Sequence, residues 1–351
     1  NNTFISPSSI AAVLAMVYAG ARGKSQEELS NVLGYSQVGL NSRDEVLRSY
    51  RNTLYDFQAP TAFVETANAA LIQKKFEILQ SYKRDLIESF ATRLHSVDFE
   101  QNPSKVTSEI NEWVKHKTHG MIPKMLTEDV DKDLVVVLLN AVYFKGTWHN
   151  AFNSSENRIL PFYNEGTDGR RVETMRLTAS FRHATLPNLK SHVVVLPYSG
   201  QRYCMVILLP DDRAGLSKLK QRVSVQELVD LPQKLKLKKV NVHLPKFELN
   251  TAYELKPILQ ALGVKSIFGT GADLSRMSGN RNLYVSSIKH KAAVKVNEEG
   301  TIAAAATEAE VKWRSSRIRD TVYFHVDHPF LFCIYDSATH RALFLGEVRK
   351  V

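Results

Sequence analysis

An α+β fold is predicted, and two observations carry it. Helical periodicity fills the first third of the 351-residue chain, whereas apolar runs of strand character dominate after Asp133. No Pro/Gly/Ser-rich linker, repeat or low-complexity tract separates these regions, so one domain over 1–351 is expected. With 44% hydrophobic and 23% charged residues the chain can bury a large core. It contains no run of 18 apolar residues, so no membrane-spanning helix is expected.

Taken in order, Ser6 before Pro7 reads as an N-cap with proline at the first helical position. The IAAVLAMVYAG that follows is apolar all round, which predicts a buried helix. Ser25 and Glu28 form a capping-box pattern, and Gly34 stops the short helix QEELSNVL. Residues 44–55 read as a surface helix. Leu79, Tyr82, Leu86, Ile87 and Phe90 mark one further helical face, and Val106, Ile110, Trp113 and Val114 another. DLVVVLLNAVYF then has the character of a central strand, and HVVVLPYSGQRYCMVILLP that of a hairpin around Ser199-Gly200. A last helix is predicted from Tyr253 to Leu262, ending at Gly263. Leu283 to Gly300 is strand-like, and Thr321 to Val351 reads as β-structure with a hairpin at DSATHR.

Glu298 to Asp320, EEGTIAAAATEAEVKWRSSRIRD, stands apart. Thr301, Ala303, Ala305, Thr307, Ala309 and Val311 are all small or apolar, while the intervening positions turn charged along the segment. Period two with one uncharged face suits a half-buried strand. Four alanines, however, have little strand preference of their own. The segment therefore fits a groove that a sheet offers and holds that form poorly alone. Gly300 is a natural hinge. An alternating, arginine-tipped stretch between two β regions is a candidate protease bait loop.

These residues bring the chain into resemblance with the serpins, inhibitors of serine proteases that insert their reactive loop into their own central sheet. The likeness rests on six blocks in order: NTFISPSSIAAVLAMVYAGARGKS, LLNAVYFKGTW, KFELNTAYELKPILQALGVKSIF with GADLS, the hinge EEGTIAAAAT, HPFLFCIY and FLGEV. It implies three β-sheets, about eight or nine helices, and an exposed reactive-centre loop near 298–320. It also implies that most of one leading helix precedes Asn1 and that a short tail follows Val351. By the family's hinge spacing the reactive bond is Arg314-Ser315, since Arg314 stands 16 residues beyond Glu298. The hinge and inserting strand are then Glu298, Glu299, Gly300 and the small set from Thr301 to Val311. Arginine at that bond suits trypsin-like proteases. Lys312, Arg317 and Arg319 are secondary cleavage candidates, and bulky Trp313 disfavours proteases with a cramped neighbouring subsite. The resemblance further places a sheet-opening cluster on Ser6, Ser9, Asn140 and His290, and a gate on Trp148. A rival reading is a serpin-fold carrier that inhibits nothing; the intact small-residue hinge speaks against it.

The balance of charge is basic, with 46 Lys and Arg against 36 Asp and Glu, net +10. The densest run is Lys234, Lys236, Lys238 and Lys239, whose alternation with Leu235 and Leu237 places them on one face of a strand. Some serpins bind glycosaminoglycan through basic residues in this region, or on a helix corresponding to residues 44–55, where only Arg48 and Arg51 lie, so heparin is a candidate partner; no aromatic-interleaved module points to nucleic acid. Cys204 and Cys333 lie in apolar runs and read as buried thiols rather than a disulfide framework. Sequons at Asn1 and Asn153, together with the family likeness, suggest a secreted, monomeric glycoprotein; NNTF without a leading methionine reads as a processed product. GARGKS lacks the first glycine of a phosphate loop, GTGADL departs from a dinucleotide fingerprint, and neither GxSxG nor HExxH occurs. No catalytic residue, metal ligand or cofactor is assigned.

Overall fold

The structure, a computed structural model, describes residues 1–56, 62–299 and 321–351. Helix α1 (Pro7–Gly20) starts as the sequence predicts: the Ser6 hydroxyl accepts from the Ser9 amide, and Pro7 occupies the first turn. Its residues from Val13 to Gly20 are all buried. Helix α2 (Gly23–Leu33) ends at Gly34, whose φ of 67° is the left-handed cap that glycine adopts without strain. The capping box expected at Ser25 and Glu28 does not form. The helix begins three residues earlier, and both side chains hold distant backbone: Ser25 Oγ accepts from the Asp273 amide, and Glu28 accepts from the Lys265 and Ser266 amides.

Helices α3 (Arg43–Asp56), α4 (Gln80–Phe90) and α5 (Pro103–Lys117) follow. On α4 only Tyr82, Leu86 and Phe90 of the predicted face are buried; Ile87 points outward and Leu79 precedes the helix. Helices α6 (Leu216–Arg222) and α7 (Val225–Lys234) fall where no helix was predicted. A capping box does open α7, between Ser224 and Glu227. Helix α8 is only Lys256–Ala261, and α9 is Ser275–Ser278. The helix predicted from Tyr253 starts late because Tyr253 and Glu254 pair with His290 and Lys289 in a sheet.

Fourteen strands are assigned among the described residues: β1 (Thr3–Ile5), β2 (Ala62–Gln73), β3 (Leu94–Val97), β4 (Val136–Gly146), β5 (Arg158–Asn164), β6 (Asp168–Leu186), β7 (Ser191–Pro197), β8 (Tyr203–Pro210), β9 (Lys236–Pro245), β10 (Phe247–Glu254), β11 (Val285–Val296), β12 (Val322–His325), β13 (Phe330–Asp336) and β14 (Arg341–Val348). One sheet runs β10-β11-β4-β2-β3. The other nine strands form one hydrogen-bonded network because β6, 19 residues long, belongs to two sheets at once. Its end at Arg182–Leu186 pairs with β7, leading to β8, β13, β14 and β1. The rest pairs with β5 and β9, and β12 closes that edge. Three sheets result, as the resemblance implies.

The middle of the five-stranded sheet positions the site. Strands β4 and β11 lie side by side and parallel, in register from Val136/Val285 to Phe144/Val294. Ten of the eleven residues of β4 are buried because both its faces are covered. Val137, Leu139, Ala141 and Tyr143 pack beneath Val106, Ile110 and Val114 of α5. On the other face Val136 and Leu138 join the α1 cluster, and Val142 and Phe144 join an aromatic core.

The basic run is arranged otherwise than predicted. Lys234 ends α7, Leu235 is buried in the turn, and Lys236 and Lys238 project to the side of β9 opposite Lys239 and the exposed Leu237. Cys204 and Cys333 are free and buried, and burial pushes their thiols up to about 11 and about 12.

Candidate sheet-opening and hinge site

Halfway along the β4–β11 seam, Asn140 and His290 are direct register partners. The Ser6 amide donates to His290 Nε2 at 3.2 Å, so that nitrogen carries no proton, and Nδ1–H faces Asn140 Oδ1. Asn140 Nδ2 donates to Ser9 Oγ and to Asn68 Oδ1 of β2. The Ser6 hydroxyl donates to the Leu343 carbonyl at 2.8 Å, tying the cluster to β14. The four residues placed here by resemblance thus meet, joined by Asn68, which sequence reasoning missed. Each is at least 94% buried, so every polar atom needs its partner.

His290 is fully buried, and burial lowers its pKa to about 4. It is neutral when folded and charges near 6.5 when unfolded. The stability it contributes is therefore present above pH 6.5 and is lost as pH falls from there toward 4, by about 3 kcal/mol in all. Urea melts between pH 7.5 and 4.5 are expected to show that loss, reduced in His290→Gln. Equal pH slopes for both proteins contradict it.

At the top of the seam β11 runs on into Asn297, Glu298 and Glu299, and this root is pinned. The indole of Trp148 donates to the Asn297 carbonyl at 2.8 Å, and the Trp148 amide to the Glu299 carbonyl at 3.2 Å. The Phe152 amide donates to the Glu298 carbonyl at 3.1 Å. Trp148 is 3% exposed and stacks on Tyr198 with ring centroids 4.5 Å apart. The Glu298 carboxylate accepts from Asn157 Nδ2 and pairs with Lys246 Nζ at 3.1 Å; Lys246 also reaches Glu173 at 3.2 Å. Burial alone would raise the Glu298 carboxyl, yet a backbone amide, Asn157 and Lys246 together hold it below the usual carboxylate range. Phe152, Asn157, Lys246 and Glu173 went unnoticed in the sequence. Nothing local marks them, since each partner lies at least fifty residues from Glu298.

The seam is thus closed and parallel, clasped midway by buried polar side chains and fastened where β11 leaves the sheet. The family profile described as serpin, serine protease inhibitor, matches residues 1–351. The chain belongs to the serpin family. Among its relatives, Iripin-2 of Ixodes ricinus is 43% identical over all of this chain and 88% of its own length. The leukocyte elastase inhibitor of Equus caballus is 38% identical over 98% of this chain and 92% of its own. Uncleaved ovalbumin superposes with a TM-score of 0.88 at 27% identity, covering 100% of this chain and 94% of ovalbumin. The family is described as one of serine protease inhibitors and one of these relatives is named an elastase inhibitor, so the chemistry of the family is inhibition of an enzyme rather than catalysis.

In this serpin the described chain stops at Glu299 and resumes at Thr321, just before β12. Gly300, Thr301, Ala303, Ala305, Thr307, Ala309, Val311, Lys312, Trp313, Arg314, Ser315, Arg317 and Arg319 lie outside the described residues. Both sequon asparagines, Asn1 and Asn153, are exposed. Among the described residues no helix is long and apolar enough to cross a membrane, and no group of His, Cys, Asp and Glu is arranged to hold a metal.

Proposed function

We propose that this serpin is a secreted, monomeric suicide inhibitor of trypsin-like serine proteases, needing no cofactor, with Arg314-Ser315 as its bait. The observation that carries the reading is the closed, parallel β4–β11 seam beside a pinned hinge root, with a small-residue segment next in the chain. The protease serine attacks the Arg314 carbonyl, the Ser315 amine leaves, and an acyl-enzyme forms. The freed arm enters between β4 and β11, antiparallel to both, as the missing strand. Sixteen residues at about 3.3 Å each carry the tethered protease about 50 Å. A dozen new backbone hydrogen bonds at about 1 kcal/mol each, with buried side chains added, supply on the order of ten kcal/mol to distort it.

The test mixes the protein with a slight deficit of trypsin and boils the mixture in detergent. A covalent band at the summed mass, with the cut after Arg314, is expected, and Arg314→Ala is expected to lose it. Clean cleavage by several trypsin-like proteases without that band would instead favour a carrier, the reading that kinship to human thyroxine-binding globulin keeps in view (TM-score 0.89, 26% identical).

Lys236, Lys238 and Lys239, exposed at the start of β9 where it pairs with β6, and beside Lys234, are the proposed glycosaminoglycan contact, although they do not share one face. Heparin is expected to raise the inhibition rate severalfold at low salt, and less after charge removal at these lysines. An unchanged rate removes the proposal.

A further inference from the structure

Two of the three most exposed large hydrophobic side chains among the described residues, Tyr323 at 75% and Leu237 at 67%, stand on one face of the same sheet. Side chains alternate between faces along a strand, so register sorts this face into rows. Arg176, His243 and His325 form one row across β6, β9 and β12, and Thr178, Asn241 and Tyr323 form the next. Beyond the reach of β12, Ser180 lies beside Lys239, and Arg182 beside Leu237.

The face carries no carboxylate. Its fixed cations are Arg176, Arg182 and Lys239. Arg176 donates to His243, and Arg182 donates to the Pro232 and Leu235 carbonyls, neutral acceptors that leave both charges unbalanced. Burial lowers the pKa of His243 to about 4 and lowers that of His325, so neither ring is charged at pH 7.5. Lys234, Lys236 and Lys238 add charge at the rim. Strand β12 pairs with β9 only from Val240 onward, so the earlier residues of β9 lack a described neighbour on that side, and long lysine stems reach round the edge. Among the described residues none of these four lysines forms an ion pair. The first acid after β12, Asp327, is already held by His328 at 2.6 Å and Arg213 at 3.4 Å.

We propose that this face docks peripherally on bilayers containing anionic phospholipid, with Tyr323 and Leu237 entering between headgroups and the arginines and lysines lying against lipid phosphates. Single exposed apolar residues are common on soluble proteins. Here two share a flat, wholly uncompensated basic face, about 13 Å apart along the strands with Lys239 and Asn241 between them. That spacing gives isolated apolar tips in a cationic field, the pattern of an interfacial contact. The three strands span only about 10 by 20 Å, well short of the roughly 800 Å² per partner of a stable protein interface. A sulfated polymer would engage the lysines and leave Tyr323 and Leu237 idle.

Sedimentation of the intact protein with vesicles tests this. Binding to vesicles of about 30% phosphatidylserine in phosphatidylcholine is expected at about 0.05 M salt, at least tenfold weaker at about 0.2 M salt and on phosphatidylcholine alone. Tyr323→Ser with Leu237→Ser is expected to weaken it at least fivefold while leaving retention on heparin unchanged. Tyr323→Trp keeps the contact and reports it: on the phosphatidylserine vesicles its emission should shift to the blue by more than that of the unsubstituted protein. Absence of sedimentation at low salt overturns the proposal, as does undiminished binding by the double serine variant or an equal emission shift in Tyr323→Trp. Retention on heparin or polyglutamate without vesicle binding makes an acidic polymer the occupant and overturns it too. No protease enters the measurement, so a chain that fails to capture trypsin loses the inhibitor reading and leaves this one to be judged separately.

Discussion

Thr301→Arg is expected to abolish covalent capture of trypsin while leaving cleavage after Arg314 intact. Thr301 opens the small, uncharged set of the loop and would be among the first residues to enter the seam. The seam offers it no water. Its walls are β4, buried on both faces, and β11, whose Ala292, Ala293 and Val294 are likewise buried. An unpaired guanidinium there costs several kcal/mol, and it does so before later hydrogen bonds have formed to offset it. Insertion then stalls while the acyl-enzyme remains exposed to water, so the protein turns over as a substrate. Glu308→Arg supplies the contrast. It belongs to the opposite, charged set, and capture should survive within a few-fold. Gel analysis of both variants decides the matter; a normal covalent band from Thr301→Arg would falsify the insertion argument.

The parts of this protein that could be read from sequence are those whose cause is local. The cap at Ser6, the buried α1, the stop at Gly34, the apolar β4 and the hairpin at Ser199-Gly200 all follow from neighbouring residues. What failed depends on who the partner is. Ser25 and Glu28 carry a correct local signal, but the chain near Asp273 and Ser266 claims both side chains. Tyr253 and Glu254 would suit a helix until the β11 ladder takes their backbone. Helix α7 was missed because Pro232 interrupts its pattern, although Ser224 and Glu227 announced its start. The candidate site divides the same way. Ser6, Ser9, Asn140, His290 and Trp148 were placed by family likeness, whereas Asn68, Lys246 and Asn157 appear only when register brings distant strands together.

The fastening of the hinge root makes Trp148→Ala the costliest single change expected outside the loop. Trp148 is almost fully buried between Tyr198 and Phe152, stacked on one ring and edge-on to the other at 6.0 Å. Truncation removes that packing and leaves a cavity, a loss of about 3–5 kcal/mol for a buried aromatic. The indole hydrogen bond to Asn297 adds about 1 kcal/mol. For a chain of 351 residues, with unfolding entropy near 2.1 cal/mol/K per residue, the thermal midpoint should fall by about 5–8 °C. The second consequence is kinetic. Asn297 loses its hold on the sheet top, leaving the backbone amides of residues 148 and 152, Asn157 and the partly exposed, solvent-screened Glu298–Lys246 pair to restrain the hinge. Spontaneous loss of trypsin-inhibiting activity at 37 °C should therefore quicken along with the fall in midpoint. Trp148→Phe separates the two effects, because it keeps most of the ring packing and deletes only the N–H donor. It should recover most of the thermal midpoint yet still lose activity faster than the unsubstituted protein. If its activity decays no faster, the indole bond to Asn297 is not what restrains the hinge, and the restraint must then be assigned to packing, to the backbone bonds at Glu298 and Glu299, and to the Asn157 and Lys246 contacts.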